Sequence, residues 1–182
     1  MKNALLGVTG GIAAFKACDL VSELRGREVQ VRVIMTPAAT RFIQPLTFSA
    51  LSGHAVLLDD LADGSGPSIP HIEWARWADV AVIAPATADF LGRLSHGLAN
   101  DTLSSLMLAF EAHKRVVLAP AMNSEMWSNE LVQANLERLL AVGGGQRFVV
   151  VEPVEKRLAC GDHGMGGLAS VDRIADAVVE AL

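Results

Sequence analysis

Val116-Val117-Leu118-Ala119-Pro120-Ala121-Met122-Asn123-Ser124-Glu125-Met126-Trp127 is the stretch whose reading decides the fold. The uninterrupted apolar run at its start has the character of a strand, and it breaks at once into a polar turn and a segment that suits a helix. In open α/β sheets ligands sit beyond the carboxyl ends of the strands, so Asn123 stands where a substrate can be held. The same position also suits Asn123 as a plain N-cap for the helix that follows. The stretch by itself leaves both readings open.

Four more runs of the same kind occur, from Ala4 to Val8, Val29 to Met35, Val80 to Ala84 and Phe148 to Val151. Between and after them, Ile12 to Leu24, Leu98 to Ala112, Leu131 to Val142 and Val171 to Leu182 carry apolar residues at three- and four-residue spacing, as packed helices do. Alternation of strand and helix predicts a parallel sheet with helices on both faces. Right-handed crossovers then give an α/β, doubly wound, Rossmann-like or flavodoxin-like architecture, read as one domain over residues 1–182. Gly64-Ser65-Gly66-Pro67 and Gly143-Gly144-Gly145 read as loops within it rather than boundaries.

The 182 residues, 51% hydrophobic, suffice for a real core. Apolar stretches stop well short of the roughly 20 residues that span a bilayer, and the N-terminus runs into a strand without signal-peptide architecture, so a soluble cytoplasmic protein with no membrane partner is expected. Fifteen basic against twenty acidic residues give a net charge of −5, without a basic cluster that could track a phosphate backbone. Nucleic acid is therefore not an expected partner. Cys18 and Cys160 are too few for a disulfide framework and lack metal-ligand spacing, so reduced thiols and no metal site are expected.

Chemistry concentrates where the predicted strands end. Gly7-Val8-Thr9-Gly10-Gly11-Ile12-Ala13-Ala14-Phe15-Lys16 is a glycine-bearing turn that opens a helix, where backbone N–H groups can face an anion. It is neither a P-loop nor the Gly-x-Gly-x-x-Gly dinucleotide pattern, so it points to a phosphate more than to NAD, and a ligand-free tight turn also fits. Thr36-Pro37-Ala38-Ala39-Thr40 ends the second strand; Thr36 suits an N-cap, and both hydroxyls could meet phosphate or ribityl groups. Ala84-Pro85-Ala86-Thr87-Ala88-Asp89-Phe90-Leu91-Gly92 ends the third, with small residues that let a flat ring approach the backbone, or simply make a turn. His71, after a Gly/Pro/Ser loop and just before a strand, is a candidate for proton handling. His54, His96 and His113 lie in or beside helical stretches, and His163 has no partner at ligand spacing. Cys160, in Arg157-Leu158-Ala159-Cys160-Gly161-Asp162-His163-Gly164-Met165-Gly166-Gly167, reads as a thiol on a glycine-rich flap that closes over substrate.

The succession of Gly10-Gly11-Ile12-Ala13-Ala14-Phe15-Lys16, Pro70-His71-Ile72-Glu73, Ala84-Pro85-Ala86-Thr87-Ala88-Asp89, Pro120 to Trp127, and Leu158 to Gly166 closely resembles the homo-oligomeric flavin-containing cysteine decarboxylases over nearly the whole chain. The resemblance implies FMN, with its phosphate near Gly10, Gly11 and Ile12 and further contacts from Thr36, Thr40, Thr87, Ala88, Asp89, Phe90 and Ala121. It implies His71 as catalytic base, Asn123 and Met126 around the substrate carboxylate, and Arg157, Leu158 and Ala159 with Cys160 as a closing clamp. The implied assembly is a homo-oligomer, a trimer or a dodecamer built of trimers, with FMN at a subunit interface. The implied reaction takes 4′-phospho-N-pantothenoylcysteine to 4′-phosphopantetheine, a coenzyme A precursor.

That chemistry explains the residue types. A cysteinyl carboxylate loses CO₂ only when an electron sink stands beta to it, and oxidation of the carbon bearing sulfur creates one, which requires a hydride acceptor that no side chain provides. Asn123 would orient the carboxylate, His71 would take a proton, and Cys160 would return one when the enethiolate is reduced, leaving no net redox change. Asp89-Phe90 replaces the Asn-Thr of many relatives, and Gly167-Leu168 replaces Arg-Met. Many bacterial relatives are fused to the synthetase that makes their substrate, and this chain is expected to meet such an enzyme in trans. Alternatives are an oxidative decarboxylase of a C-terminal peptidyl cysteine, against which Cys160 argues, a non-catalytic regulatory flavoprotein, and a prenylated-flavin synthase.

Overall fold

The computed structural model describes residues 2–59, 70–157 and 163–182. Five strands form one parallel sheet: β1 (Lys2–Val8), β2 (Val29–Met35), β3 (Val80–Ala86), β4 (Val116–Pro120) and β5 (Phe148–Val150), in the spatial order β2-β1-β3-β4-β5. Register is continuous from Lys2 opposite Val29 to Val8 opposite Met35, and Ala4 to Gly7 pair with Val80 to Ile83 on the other side of β1. The chain therefore leaves β1 in one direction and returns on its other side at β3, and this reversal makes the crevice between their ends the natural ligand site.

Side-chain alternation builds two cores. Ala4, Leu6 and Val8 of β1 face α1 (Lys16–Gly26) and α8 (Val171–Ala181), where Leu20, Val21, Leu24, Ile174 and Val178 are buried. Leu5 faces the opposite layer, with Phe90, Leu91, Leu103, Leu106 and Leu136. These come from α4 (Ala88–Ser95), α5 (Thr102–Ala109) and α7 (Glu130–Ala141). Each fully buried Leu or Ile contributes about 1.5–3 kcal/mol, so the doubly covered sheet is the dominant stabilising unit. Gly7 permits the closest approach, since a Cβ there would lie 2.7 Å from Ile83 Cδ1 and 2.9 Å from Leu103 Cδ1.

All five expected strands are present, within a few residues at their ends. The helix expected from Leu98 begins at Thr102, because Asp101 and Ser104 form a capping box that fixes its first turn. Two helices were not anticipated. α2 (Pro45–Ser52) buries only Phe48 and Ser52, and α3 (Pro70–Trp77) carries His71 in its first turn. Arg32 of β2 anchors α3, its guanidinium 4.3 Å from the Trp77 ring centre and 5.4 Å from that of Trp74. A two-stranded antiparallel hairpin, β6 (Val154–Arg157) with β7 (His163–Gly167), completes the fold together with the short α6 (Ser124–Ser128). Among the described residues, no helix is long and apolar enough to cross a membrane.

Candidate active site

The ends of β1 to β4 open into a cleft of about 1030 Å³, enough for a ligand of cofactor size. Its floor is stapled by Thr9, buried at the end of β1. Thr9 Oγ1 donates to the Pro85 carbonyl at 2.6 Å and accepts from the Thr87 amide at 3.1 Å. Thr87 Oγ1 in turn caps α4, accepting from the Phe90 amide at 3.4 Å. Two adjacent strand ends are thus held at fixed separation across the crevice. Gly10 leaves no room for a side chain, because a Cβ would overlap Ala38 Cβ and stand 3.0 Å from the Ala38 carbonyl carbon. The loops after β1 and β2 meet there, so backbone rather than side chain forms this edge.

Thr36 is buried; its amide donates to Val8 at 3.1 Å and its hydroxyl oxygen accepts from Ala39 at 3.3 Å. Thr36 is thus not the N-cap expected of it, since the short helix Ala39–Arg41 has Ala38 as its cap residue; its hydroxyl instead ties the turn before that helix. Asn123 combines both of its readings. Its Oδ1 accepts from the Glu125 amide at 2.8 Å, capping α6, and the residue also lines the cleft. The Met122 amide beside it donates to the Gly166 carbonyl at 2.9 Å. Gly166 has φ of 131°, and a Cβ there would overlap the Met122 carbonyl oxygen, so glycine is what lets the hairpin dock on the loop after β4.

Charge is arranged unevenly. On the α4–α5 wall, Arg93 Nη1 reaches Asp101 Oδ2 at 2.6 Å and Asn100 Oδ1 at 2.7 Å, while its Nη2 reaches Asp89 Oδ2 at 3.0 Å. Burial opposes ionisation of Asp101, but hydrogen bonds from Ser104 and Arg93 outweigh it and hold the carboxyl below its ordinary range. Asp59 joins this wall by accepting from the Thr102 amide and hydroxyl, each at 2.9 Å. Lys16 and Lys156 line the other side. Ile12, Phe15 and Met126 stand on the rim with 60%, 53% and 47% of their surface exposed, which leaves apolar area for a ligand or another protomer to cover.

Of the residues expected at the site, Gly10, Gly11, Ile12, Thr36, Thr87, Ala88, Asp89, Ala121, Asn123 and Met126 line this cleft. Thr40 is not among them; its hydroxyl donates to the Pro37 carbonyl at 2.8 Å. Phe90 points into the core, fully buried beneath α4. His71 is half-buried in α3 and does not line the cleft of its own chain. Arg157 ends β6, and Leu158, Ala159 and Cys160 lie outside the described residues. Thr9, Arg93, Asp101, Lys16 and Lys156 are cleft residues that sequence reasoning missed. A lone threonine between an apolar strand and two glycines was the available signal for Thr9, whereas the charged residues take their places only through tertiary packing. Cys18, the other thiol, has its pKa raised by burial and by the charge of Asp19, so it is not an activated nucleophile.

The family described as Flavoprotein matches residues 1–182, the full length of the sequence. This chain belongs to the flavoprotein family. The flavoprotein is 43% identical over 177 residues to the coenzyme A biosynthesis bifunctional protein CoaBC of Haemophilus influenzae, covering 97% of this chain and 43% of that protein. It thus spans about two fifths of the length of the curated relatives it matches. Among solved structures it resembles a variant PPC decarboxylase complexed with pantothenoylaminoethenethiol, with a TM-score of 0.85, 32% identity, and coverage of 98% of this chain and 97% of that one. It also resembles the FMN-dependent cysteine decarboxylase SpaF, with a TM-score of 0.80, 34% identity, and coverage of 100% and 97%. The doubly wound flavoprotein fold read from the sequence is thus the fold of these neighbours.

Proposed function

We propose that this flavoprotein binds FMN and decarboxylates 4′-phospho-N-pantothenoylcysteine to 4′-phosphopantetheine, the carboxy-lyase step of coenzyme A synthesis. The observation that carries the reading is the cleft at the β1/β3 reversal, walled by Asn123, in a chain whose whole length matches a PPC decarboxylase. The residues fit FMN. Gly10 and Gly11 bring bare backbone to the edge, Thr36 and Thr87 place hydroxyls beside it, and Ala88 and Ala121 leave flat, uncrowded walls. When bound, FMN supplies the hydride acceptor and donor that side chains lack.

The chain's own groups do the rest. Asn123 is held by its bond to Glu125, which fixes the side chain for orienting the substrate carboxylate. Met126, one turn further along α6, offers an apolar contact beside it. His71 is the base that takes the substrate proton, and Cys160, on the clamp with Arg157, Leu158 and Ala159, returns a proton at the end. Because His71 does not line its own cleft, a homo-oligomer in which another protomer brings His71 to the site suits the reading, as a trimer or a dodecamer of trimers in the cytoplasm. Exposed Ile12 and Phe15 on the rim favour such an assembly.

Incubation of the purified yellow protein with phosphopantothenoylcysteine, followed by mass spectrometry, tests the proposal. Loss of CO₂ without loss of two further hydrogens is expected. A second reading draws on the similarity to SpaF, a cysteine decarboxylase, and predicts action on a C-terminal cysteine peptide instead. Turnover of the peptide alone, to a product two hydrogens lighter, would sink the first reading in favour of the second.

A further inference from the structure

Lys156 projects from β6 across Gly167. A Cβ on Gly167 would lie 2.6 Å from both Cγ and Cδ of Lys156 and overlap its Cε. The missing side chain is therefore the slot in which the lysine stem lies. At its end, Nζ donates to the Leu168 carbonyl at 3.4 Å, which leaves donor capacity on the ammonium for something else. Both Lys156 and Lys16 line the cleft, and among the described residues neither is in an ion pair. Burial lowers the pKa of Lys156, and the charge acting on it besides is the like charge of Lys16.

Lys156 is partly desolvated in a cleft that it shares with a second ammonium, and a dianion bound there offsets both costs. The opposite wall needs no such ligand, because Arg93 is matched there by Asp89 and Asp101. We propose that Lys156, laid in the Gly167 slot, and Lys16 form a subsite for the phosphate monoester of the substrate, and that Lys156 sets the preference for phosphorylated over unphosphorylated acyl-cysteines. The identity of the substrate rests on the decarboxylation reading; the anion subsite does not. FMN also carries a phosphate monoester, and Lys16 closes the turn that begins at Gly10, but Lys156 belongs to the hairpin strand that leads into residues 158–162 rather than to that sheet edge, and it is Lys156 that the flavin-content control tests. The subsite is accordingly assigned to the substrate.

The test uses flavin-loaded wild type, Lys156→Gln and Lys156→Arg. kcat and KM are measured for phosphopantothenoylcysteine and pantothenoylcysteine, flavin content by absorbance, and binding of phosphopantothenate and pantothenate by calorimetry. Wild type is expected to favour the phosphorylated substrate. In Lys156→Gln the ratio of the two kcat/KM values falls about tenfold, through KM, the scale of one charge-assisted hydrogen bond. Lys156→Arg keeps most of the preference, and flavin content stays equal in all three. An equal loss on both substrates would mean a packing role only, and flavin loss would give the lysine to the cofactor phosphate; either result, or an unchanged ratio, overturns the proposal. If wild type turns over neither substrate, the decarboxylation reading falls and calorimetry decides the subsite alone. Phosphate-dependent binding that Lys156→Gln weakens upholds it, and its absence in wild type overturns it.

Discussion

The two walls of the cleft handle charge in opposite ways. On the α4–α5 wall Arg93, Asp89, Asp101 and Asn100 satisfy one another, and Asp59 is tied to Thr102. On the wall formed by the start of α1 and by β6, Lys16 and Lys156 line the cleft, and among the described residues neither is in an ion pair. A polar group matched inside the chain spends its interaction energy on shape, whereas one left unmatched at a cavity has that energy available for a ligand. Substitutions on the first wall should therefore register in stability and those on the second in binding. An exchange of these outcomes would break the distinction.

The largest effect is expected at Asp101. It is 8% exposed, pairs with Arg93 at 14%, and caps α5. Asp101→Ala removes that cap and one of the two carboxylates on Arg93, leaving Asp89 as its partner, and should cost about 2–4 kcal/mol in chemical denaturation. The sign of its pH dependence follows from the depressed folded-state pKa. Its contribution is fully present above the ordinary aspartate range and is lost as pH falls through the folded-state value. The stability gap between wild type and Asp101→Asn should accordingly narrow as the medium is made acidic below that range. A gap that widened instead would mean that burial, not Arg93 and Ser104, dominates this carboxyl.

A step smaller is Thr9, which belongs to the floor shared by both walls. Thr9→Val keeps the shape but removes the donor to Pro85 and the acceptor for the Thr87 amide. A buried backbone group left without its partner costs about 1–3 kcal/mol, so the denaturation midpoint should fall within that range. Flavin affinity should fall with it, because the same bonds fix the distance between the ends of β1 and β3. Loss of stability with unchanged flavin affinity would show that the crevice keeps its width without this staple.

These two residues also mark how far the sequence could be read. The strands were legible because β3 and β4 are buried at every position and so appear as unbroken apolar runs. α1 and α8 were legible from single apolar stripes, Leu20, Val21 and Leu24 in one and Ile174, Ala175 and Val178 in the other. α2 was not, since Leu46 is 77% exposed and the helix presents no stripe. Strand ends pointed to Gly10, Thr36, Thr87 and Asn123, because topology alone carries those positions to one edge. Asp101 and Arg93 meet across two helices and Lys156 arrives on a hairpin, so no local spacing announces any of them. His71 stands apart for a related reason: its sequence context made it a candidate for proton handling, and the single chain does not carry it to the cleft.

The smallest effect on stability is expected at Lys16, and it sharpens the comparison most. Lys16 is half-buried at the start of α1, with its ammonium 5.4 Å from the centre of the exposed Phe15 ring. Removing one of two mutually repelling charges should leave Lys16→Gln within about 0.5 kcal/mol of wild type without added ligand. Inorganic phosphate changes the outcome, because an anion that binds only the folded protein raises its stability in proportion to the logarithm of its concentration above Kd. Thermal denaturation of the flavin-loaded protein should show a phosphate-dependent rise in Tm for wild type, and a smaller rise for Lys16→Gln at the same ionic strength. Asp101→Asn, destabilised throughout, should still show the wild-type increment, because its wall plays no part in holding the anion. Equal increments in wild type and Lys16→Gln would place the anion elsewhere and leave the lysine wall without a binding role.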